Sequence, residues 1–414
     1  MKNFIKNIKI NKLFHLNNFN ISIDDDKYPN LIITGKNGSG KTILLNAISD
    51  FLDRIKGDKS LDFLSYGNVI DYSKDQLNNT SLDDDTIKKF NSGLQMYKDI
   101  YYNSSLGKID IEFKDVTNII EKYSKDEFVM AFYQADRKVW MEEPLNPTKP
   151  TIKTHGGVRN TSTSQFLNFL SDLKIQEALA RNDNKIEDAD NIREWFNDFE
   201  VLLQSIFEDK DLKLEFNYKD YSFKINTEGK SFKFTEMSDG FAAVIDIVAD
   251  LILKMQSEKS LTRAYQKEGI VLIDEVETHL HLGLQKIVMP TLSKIFPNIQ
   301  FIITTHSPFV LSSMDNAVAF DLEHKENISD LTEYSYESLA EGYFGVRTTS
   351  SYAHMQLDRL KELLGKDDLT ESEKATIKSL NEDFSKIPEM ISPILVGEYR
   401  QLVTLYSEKI KALQ

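Results

Sequence analysis

The residues best suited to chemistry form a glycine-rich run at positions 35–42, which reads Gly-Lys-Asn-Gly-Ser-Gly-Lys-Thr. Glycines let the backbone wrap closely, so that its N–H groups point at phosphate oxygens. The lysine would reach the β- and γ-phosphates, and the threonine hydroxyl would bind Mg²⁺. A chance glycine turn is the alternative, but an apolar run precedes this segment and a helical pattern follows it, as a phosphate-binding loop requires. The residues expected to bind ATP and Mg²⁺ here are Asn37, Gly38, Ser39, Gly40, Lys41 and Thr42.

A pair of acids follows a second apolar run. Residues 270–273 lead directly into Asp274 and Glu275, and α/β sheets bind their ligands at the carboxyl ends of strands. Asp274 would hold Mg²⁺, directly or through water, and Glu275 would orient and deprotonate the attacking water. Adjacent acids after an apolar strand are common. In a chain that also has a phosphate-binding loop, they predict a site of ATP hydrolysis, with Lys41 and Glu275 as catalytic candidates.

A third apolar run, at residues 301–304, ends in a polar cluster that contains His306. A lone histidine after a strand is more often structural than functional. This one follows Glu275 by one helix and one strand, which would place it beside that carboxylate at the sheet edge. We therefore count His306 as a catalytic candidate, able to contact the γ-phosphate.

Alternating strands and helices would position these groups. Short continuous apolar runs predict buried strands, 3.6-residue periodicity predicts amphipathic helices, and alternation over residues 1–23 predicts a hairpin. Strands are expected at 31–33, 128–133, 212–218, 221–226, 270–273 and 301–304, and helices at 44–55, 164–209, 239–256 and in the tail from 332. This order predicts an α/β fold, a P-loop NTPase head with a mixed, largely parallel sheet, helical insertions and a helical C-terminal tail.

Composition suggests how the chain is divided. Asp and Lys dominate residues 57–126, where the acidic run at 83–85 is typical of a loop, and this stretch is interpreted as an insertion. The predicted regions are an N-terminal lobe of the head at 1–56, the insertion at 57–127, a strand and loop of the head at 128–140, a loop and helical insertion at 141–211, a C-terminal lobe at 212–330 and a helical region at 331–414.

Overall composition excludes several classes of protein. The 414 residues are 41% hydrophobic and 28% charged, as in an ordinary globular protein, and contain no cysteine, which excludes disulfides and thiolate metal sites. The N-terminus has no signal-peptide pattern. The most apolar stretch, 241–255, is interrupted by Asp246 and Asp250 and is too short to span a bilayer. We therefore expect a cytoplasmic protein without membrane contact. A net charge of −15 leaves nucleic-acid binding open but does not indicate it.

Longer sequence motifs around these residues resemble those of a known protein family. Residues 275–281 read Glu-Val-Glu-Thr-His-Leu-His, 296–298 read Phe-Pro-Asn, and 304–308 read Thr-Thr-His-Ser-Pro. Together with the phosphate-binding loop they resemble the soluble OLD-like branch of the ABC ATPase superfamily, which includes ATPase subunits of the Septu and PARIS anti-phage systems. The resemblance implies an ABC-type head. It covers about 1–55, 128–140 and 230–320, and in the tail it rests only on a likeness at 334–343.

The resemblance makes residues 237–241, Met-Ser-Asp-Gly-Phe, the ABC signature. Met237 stands where leucine is usual and Asp239 where glycine is frequent. Ser238 would cap the helix that begins here, and with Gly240 it would offer the helix N-terminus to a γ-phosphate. An N-capped core helix with no ligand is the alternative.

The resemblance also gives roles to residues at two strand ends. It makes Gln134, after the strand at 128–133, the Q-loop ligand of Mg²⁺ and water; a polar residue that merely ends a strand is the alternative. Arg137 is either a phosphate contact or a member of an ion pair. His279 and His281 would lie in the segment that makes dimer contacts, and a metal pair is disfavoured because no third ligand is apparent.

In this family the phosphate-binding loop and the signature of one chain face away from each other, so hydrolysis would need two copies placed head to tail. We therefore expect a homodimer or a higher assembly of dimers. Each site would combine Lys41, Thr42, Gln134, Asp274, Glu275 and His306 of one copy with Ser238 and Gly240 of the other.

The predicted function is a sensor or regulatory ATPase of an anti-phage system. It would control a separate effector, such as a Toprim or HNH nuclease, because residues 320–414 lack the Asp-x-Asp pair of a Toprim site. A DNA-maintenance ATPase resembling RecF or SMC heads is one alternative, although the long heptad arms that would favour it are absent. A non-hydrolysing scaffold is another, and the presence of Glu275 argues against it.

Overall fold

The computed structural model describes most of the chain. Positions 138–140, residues 145–156 of the loop predicted at 144–159, and most of the segment at 334–343 lie outside its described residues. The described residues are 4–23, 29–55, 66–78, 83–103, 108–137, 141–144, 157–256, 267–328, 336, 339, 351–388 and 393–413.

The strands form three sheets within the described part of the chain. They are β1 Ile5–Leu13, β2 Leu16–Ser22, β3 Asn30–Thr34, β4 Ile109–Phe113, β5 Phe128–Tyr133, β6 Lys213–Asn217, β7 Ser222–Thr227, β8 Lys230–Lys233, β9 Glu268–Ile273, β10 Ile299–Thr304, β11 Ala317–Asp321 and β12 Glu326–Ile328. Every predicted strand is present. The strands β4, β8, β11 and β12 were not predicted.

The helices predicted from apolar periodicity are present among the described residues. They are α1 Lys41–Ile55, α2 Tyr66–Leu77, α3 Asp84–Asn103, α4 Val116–Ser124, α5 Phe166–Asn182, α6 Ile186–Phe207, α7 Asp239–Met255, α8 Leu282–Ile295, α9 Pro308–Leu311, α10 Ser351–Leu364, α11 Glu371–Ser385, α12 Pro393–Leu405 and α13 Ser407–Leu413. In α1, for example, Leu44, Ile48 and Leu52 share one face and are fully buried.

The largest sheet positions the candidate site. Its six strands run in the order β12-β11-β3-β10-β9-β5, and neighbours are parallel except for β11 and β12. The strands β3, β5 and β10 are buried along their whole length, which explains their continuous apolar sequences. The predicted α/β class with a mixed, largely parallel sheet is confirmed. Because β3, β9 and β10 are parallel neighbours, the loops that follow them meet at one edge.

A second sheet, ordered β2-β1-β4, confirms the predicted hairpin and adds a strand to it. Ile109 and Ile111 of β4 are buried in the same apolar core as Ile8 of β1 and Ile48 of α1. Part of the stretch at 57–127 therefore builds the head. Gln300 of β10 ties the two sheets together, because its side chain accepts from the Ile5 amide at 2.8 Å and donates to the Ile5 carbonyl at 3.0 Å.

The acidic run at 83–85 begins a helix, so its prediction as a loop is wrong. Oδ1 of Asp83 accepts a 2.7 Å hydrogen bond from the Thr86 amide, which caps α3. Asp84 and Asp85 occupy the first turn, where carboxylates interact favourably with the helix dipole. The run is acidic because it starts a helix.

A third sheet, β6-β7-β8, lies in the same unit as α5 and α6. These helices bury an aromatic cluster in which Trp195 and Phe199 stack at 5.5 Å and Phe166 meets Phe199 edge-on at 5.7 Å. The predicted helical stretch at 164–209 is confirmed as this helix pair.

The chain divides into two compact units, residues 1–336 and 337–414. The second unit contains α10 to α13 and has an apolar core of its own, which includes Leu360, Leu364, Ile377 and Phe384. The predicted helical tail is confirmed for the described residues. None of the helices in those residues is both long and apolar enough to cross a membrane.

Candidate nucleotide-binding site

The loop between β3 and α1 has the backbone of a phosphate cradle. Gly35, Gly38 and Gly40 have φ values of 133°, 83° and 101°, a region that side chains with a Cβ rarely enter. Space is a second constraint at Gly40, where an added Cβ would lie 3.1 Å from Leu16 and 3.2 Å from the His15 ring. At Gly38 nothing lies within 4 Å, so conformation alone requires glycine there.

Lys41 turns its ammonium into this loop. Its Nζ donates to the carbonyl of Gly35 at 2.8 Å and to that of Lys36 at 3.2 Å. Burial lowers the pKa of Lys41 to about 8, against the opposing effect of Glu275 and Glu277. A partly desolvated ammonium beside a ring of backbone amides is suited to an anion.

Two further atoms indicate that the loop fits a phosphate group. Oγ of Ser39 is buried, and within the described residues it has no hydrogen-bond partner. Thr42 lies exposed in the first turn of α1, where its hydroxyl is free to reach a metal ion at the loop. Asn37, between the first two glycines of the cradle, is also exposed. The residues present therefore fit the triphosphate and Mg²⁺ that the sequence predicts.

Asp274 follows β9 directly and is only 2% exposed. Its Oδ1 accepts a 2.6 Å hydrogen bond from the Thr304 hydroxyl at the end of β10. Its amide donates to the carbonyl of Tyr133 at the end of β5, at 2.8 Å. The carboxylate is thus fixed between two neighbouring strands.

Glu275 adopts a left-handed backbone conformation with a φ of 43°, which is unusual for a residue other than glycine. Its amide donates to the Thr304 hydroxyl at 2.8 Å. The turn changes the direction of the backbone immediately after Asp274. The side chains of Asp274 and Glu275 therefore point in different directions. Glu275 remains partly exposed, whereas Asp274 is buried.

His306 is held beside these acids by a residue for which the sequence predicted no role. Glu277 accepts hydrogen bonds from the Thr305 hydroxyl, at 2.8 Å, and from the amide of His306. Burial raises the pKa of Glu277. Burial and the nearby charge of Lys41 lower the pKa of His306, while Asp274 opposes this, so the imidazole is neutral at neutral pH. The signal for Glu277 was its position in the Glu-x-Glu string after β9.

Gln134 and Arg137 lie in the loop after β5, next to the end of β9. Gln134 is exposed directly after the strand. Arg137 donates from Nη1 to the carbonyl of Asp274 at 3.3 Å and from Nη2 to the carbonyl of Glu275 at 3.5 Å. Both contacts are with main-chain carbonyls, and the two alternatives for Arg137, a phosphate contact or membership of an ion pair, stay predictions.

Ser238 and Gly240 lie at the start of α7. Ser238 occupies the N-cap position and is exposed, but its side chain makes no capping hydrogen bond, so the predicted side-chain cap is wrong. Gly240 is required by space, because an added Cβ would lie 3.0 Å from the His279 carbonyl. The structure thus places Gly240 against the segment after Glu275.

His281 caps a helix. Its Nδ1 accepts a 3.3 Å hydrogen bond from the Leu284 amide and caps α8. Among the described residues, no group of three or more His, Cys, Asp or Glu side chains is arranged to hold a metal ion.

The chain is similar in sequence to one protein family and to proteins of the Septu and retron systems. A protein-family profile described as "AAA domain, putative AbiEii toxin, Type IV TA system" matches residues 136–312. The chain is 27% identical to the Septu protein PtuA of Bacillus mycoides over 97% of its own length and 53% of the relative's. It is 24% identical to the Retron Vc95 probable ATPase of Vibrio cholerae, over 81% of this chain and 77% of the relative.

The chain therefore spans about half the length of the Septu relative. Its structure is partly similar to an SMC head bound to the C-winged helix domain of ScpA, with a TM-score of 0.38 and 13% identity over 77% of this chain and 94% of the other. The resemblance predicted from the motifs, to ATPases of anti-phage defence systems that include Septu, is confirmed by the Septu and retron relatives.

Proposed function

We propose that this chain binds Mg²⁺ and ATP and hydrolyses ATP at composite sites of a homodimer. The observation that carries the proposal is the meeting of three loops at one edge of the central sheet. The ammonium of Lys41 lies within the electrostatic reach of Glu275 and Asp274. The charges of Lys41 and Asp274 also act on His306. A cation, two carboxylates and a neutral imidazole around a glycine cradle form a site for a nucleoside triphosphate.

Each residue then has a distinct task. The amides at Asn37, Gly38, Ser39 and Gly40 bind phosphate oxygens, and Lys41 neutralises their charge. Glu275 orients a water molecule and accepts its proton, and His306 donates a hydrogen bond to the γ-phosphate. Thr42, Asp274 and Gln134 would hold Mg²⁺, which when bound supplies positive charge to the phosphate oxygens. The residue types and positions of these three side chains support their assignment to Mg²⁺.

A second copy of the chain would complete each site. Ser238 and Gly240 lie at the N-terminus of α7, which can offer amides to a γ-phosphate. Within one chain Gly240 packs near His279, on the segment after Glu275. An exposed serine hydroxyl at a helix N-terminus is suited to a ligand carried by another copy. This supports the head-to-tail dimer and leaves higher assemblies of such dimers open.

We further propose that the ATPase regulates a separate effector in an anti-phage system, and a Toprim or HNH nuclease fits this role. The names of the Septu and retron relatives support this reading. The helical unit at 337–414, with its own core, and the helices at 66–103 are the surfaces we assign to that effector.

Two substitutions in the full chain test the ATPase directly. Lys41→Ala should abolish ATP binding, because the ammonium neutralises phosphate charge in the ground state. Glu275→Gln should keep binding and slow hydrolysis by at least ~10²-fold, because the carboxylate acts on water only during the reaction. Lys36→Ala is the matched control, since the side chain of this neighbouring lysine pairs with Glu323 outside the cradle.

Binding is measured by titration with a fluorescent ATP analogue and hydrolysis by phosphate release. Hydrolysis by Glu275→Gln at the wild-type rate would show that the catalytic assignment is wrong. Wild-type protein that neither binds nor hydrolyses ATP would contradict the proposed function as a whole.

A further inference from the structure

Arg137 contacts both acids of the candidate site through their main chain. It is half-buried in the loop after β5, and its two terminal nitrogens reach the carbonyls of Asp274 and Glu275 at 3.3 and 3.5 Å. A planar guanidinium presents its two terminal nitrogens in a rigid fork, which a lysine ammonium lacks. The side chain therefore bridges the peptide groups on both sides of the turn at Glu275.

That turn needs support. Glu275 has a φ of 43°, and a non-glycine residue stays in this region only when its surroundings fix it there. On one side of the residue the amide is bound to the Thr304 hydroxyl at 2.8 Å. On the other side the carbonyl accepts a 3.0 Å hydrogen bond from the Thr278 amide and is also contacted by Arg137. Of these partners, Thr304 and Arg137 come from neighbouring segments outside the turn.

Several acids also act on the guanidinium electrostatically. Burial lowers the pKa of Arg137, and the charges of Asp246, Glu277 and Asp274 oppose this effect. Asp246 is 5% exposed and lies about two turns into α7, which begins directly after Ser238. Nε of Arg137 is buried and has no hydrogen-bond partner within the described residues, so the side chain has a donor to spare on its inner part.

We propose that Arg137 is a positioning residue that helps to hold the left-handed turn at Glu275. It acts on the catalytic carboxylate without touching the phosphates itself. The inference rests on the proposed function, because the turn matters only if Glu275 acts on water.

The test compares variants of the full-length chain. Arg137→Met keeps the length of the side chain and removes its donors; Arg137→Lys keeps the charge and loses the fork. Arg193→Met is the matched control, because Arg193 is 63% exposed and pairs only with Glu177. We expect Arg137→Met to lower kcat by at least about tenfold while the Kd for ATP stays within about threefold, and Arg137→Lys to be intermediate. Arg193→Met should match wild type.

A double variant separates positioning from a general structural role. If Arg137 acts through Glu275, adding Arg137→Met to Glu275→Gln should cost no more than about twofold further in kcat. Independent multiplicative losses, or a large rise in Kd, would overturn the proposal. If Arg137→Met does not fold, the same comparison is made with Arg137→Lys.

Failure of this inference can be told from failure of the proposed function. Wild-type hydrolysis that is slowed by Glu275→Gln but unaffected by either Arg137 variant would overturn the positioning role alone. Wild-type protein without hydrolysis would overturn the ATPase proposal, and the positioning role with it.

Discussion

The hydroxyl of Thr304 donates a 2.6 Å hydrogen bond to Oδ1 of Asp274, from the end of one strand to the end of its parallel neighbour. The same hydroxyl accepts the amide of Glu275 at 2.8 Å. Thr304 is fully buried, so neither bond competes with bulk water. One side chain thus sets the relative placement of the two acids and of the strand that leads to His306.

Replacing this hydroxyl should therefore impair catalysis more than binding. Thr304→Val preserves the shape of the side chain but leaves a buried carboxylate oxygen and a buried amide without their partner, at a cost of about 1–3 kcal/mol for each unsatisfied group. We expect kcat to fall by at least about tenfold, with ATP affinity less affected. Thr304→Ser, which keeps the hydroxyl, is the control and should retain most activity. Equal kcat values for Thr304→Val and wild type would show that the bonds do not place the acids.

The stability of the protein should depend on pH through Asp246. Burial, assisted by the charge of Asp250, raises the pKa of Asp246 from 3.8 to about 6. Between these values the folded chain binds more protons than the unfolded chain, so the free energy of unfolding contributed by this group falls as pH rises from about 4 to about 6.

Asp246→Asn removes this titration. The stability of the variant relative to wild type should therefore increase over the same pH window, by up to roughly 3 kcal/mol, and become constant above it. Urea unfolding of both proteins at pH 4.5, 5.5 and 7 measures the difference. A difference that does not change with pH would exclude a raised pKa at this position.

If each ATPase site is shared by two copies of the chain, a mixture of two inactive variants should regain activity. Lys41→Ala and Ser238→Arg should each be inactive alone, because every site of either homodimer lacks one half. A heterodimer of the two contains one intact site, so mixing should restore part of the ATPase activity. Phosphate release is measured after exchange of subunits, with differently tagged chains to confirm that heterodimers form. Their presence without any recovery of activity would argue against composite sites.

The isolated chain should hydrolyse ATP and leave nucleic acids intact. A two-metal nuclease needs carboxylates clustered around a pair of metal ions about 3.5–4 Å apart. Among the described residues no such group of metal-binding side chains is present apart from the pair assigned to ATP, Asp274 and Glu275. Incubation of DNA and RNA with the purified chain and Mg²⁺ or Mn²⁺ provides the measurement. Cutting that disappears when acids outside this pair are replaced would reveal a second active site.

The placement of the residues that we propose for phosphate chemistry was predictable, because motif and local pattern coincide. Lys41 follows a continuous apolar strand and begins an amphipathic helix, and Asp274 ends another such strand. Where an apolar pattern and a motif residue follow one another in this way, the sequence predicts both the secondary-structure element and the position of the side chain. Strand β4 gave no comparable signal, because it is only five residues long and lies among Lys and Asp residues.

The contacts that orient the site were not predictable. Thr304 reaches Asp274 because Ile303 of β10 lies opposite Ile273 of β9, and this register depends on packing across the whole sheet. Arg137 and Glu277 bind main-chain groups of turns whose conformation is not encoded by residue type alone. Glu275 illustrates the limit, since glutamate does not favour the left-handed conformation that it adopts here.

The position of β3 within the central sheet has a consequence for synthesis on the ribosome. This strand lies between β10 and β11, and Thr34 at its end bonds to the carbonyl of Thr305, 271 positions later. A nascent chain that stops before β10 has neither neighbour for β3, and its apolar residues Leu31, Ile32 and Ile33 stay exposed to chaperones or to other chains. The glycine-rich loop after β3 is therefore translated early but matures late, so that the proposed nucleotide site forms only when nearly the whole head has left the exit tunnel.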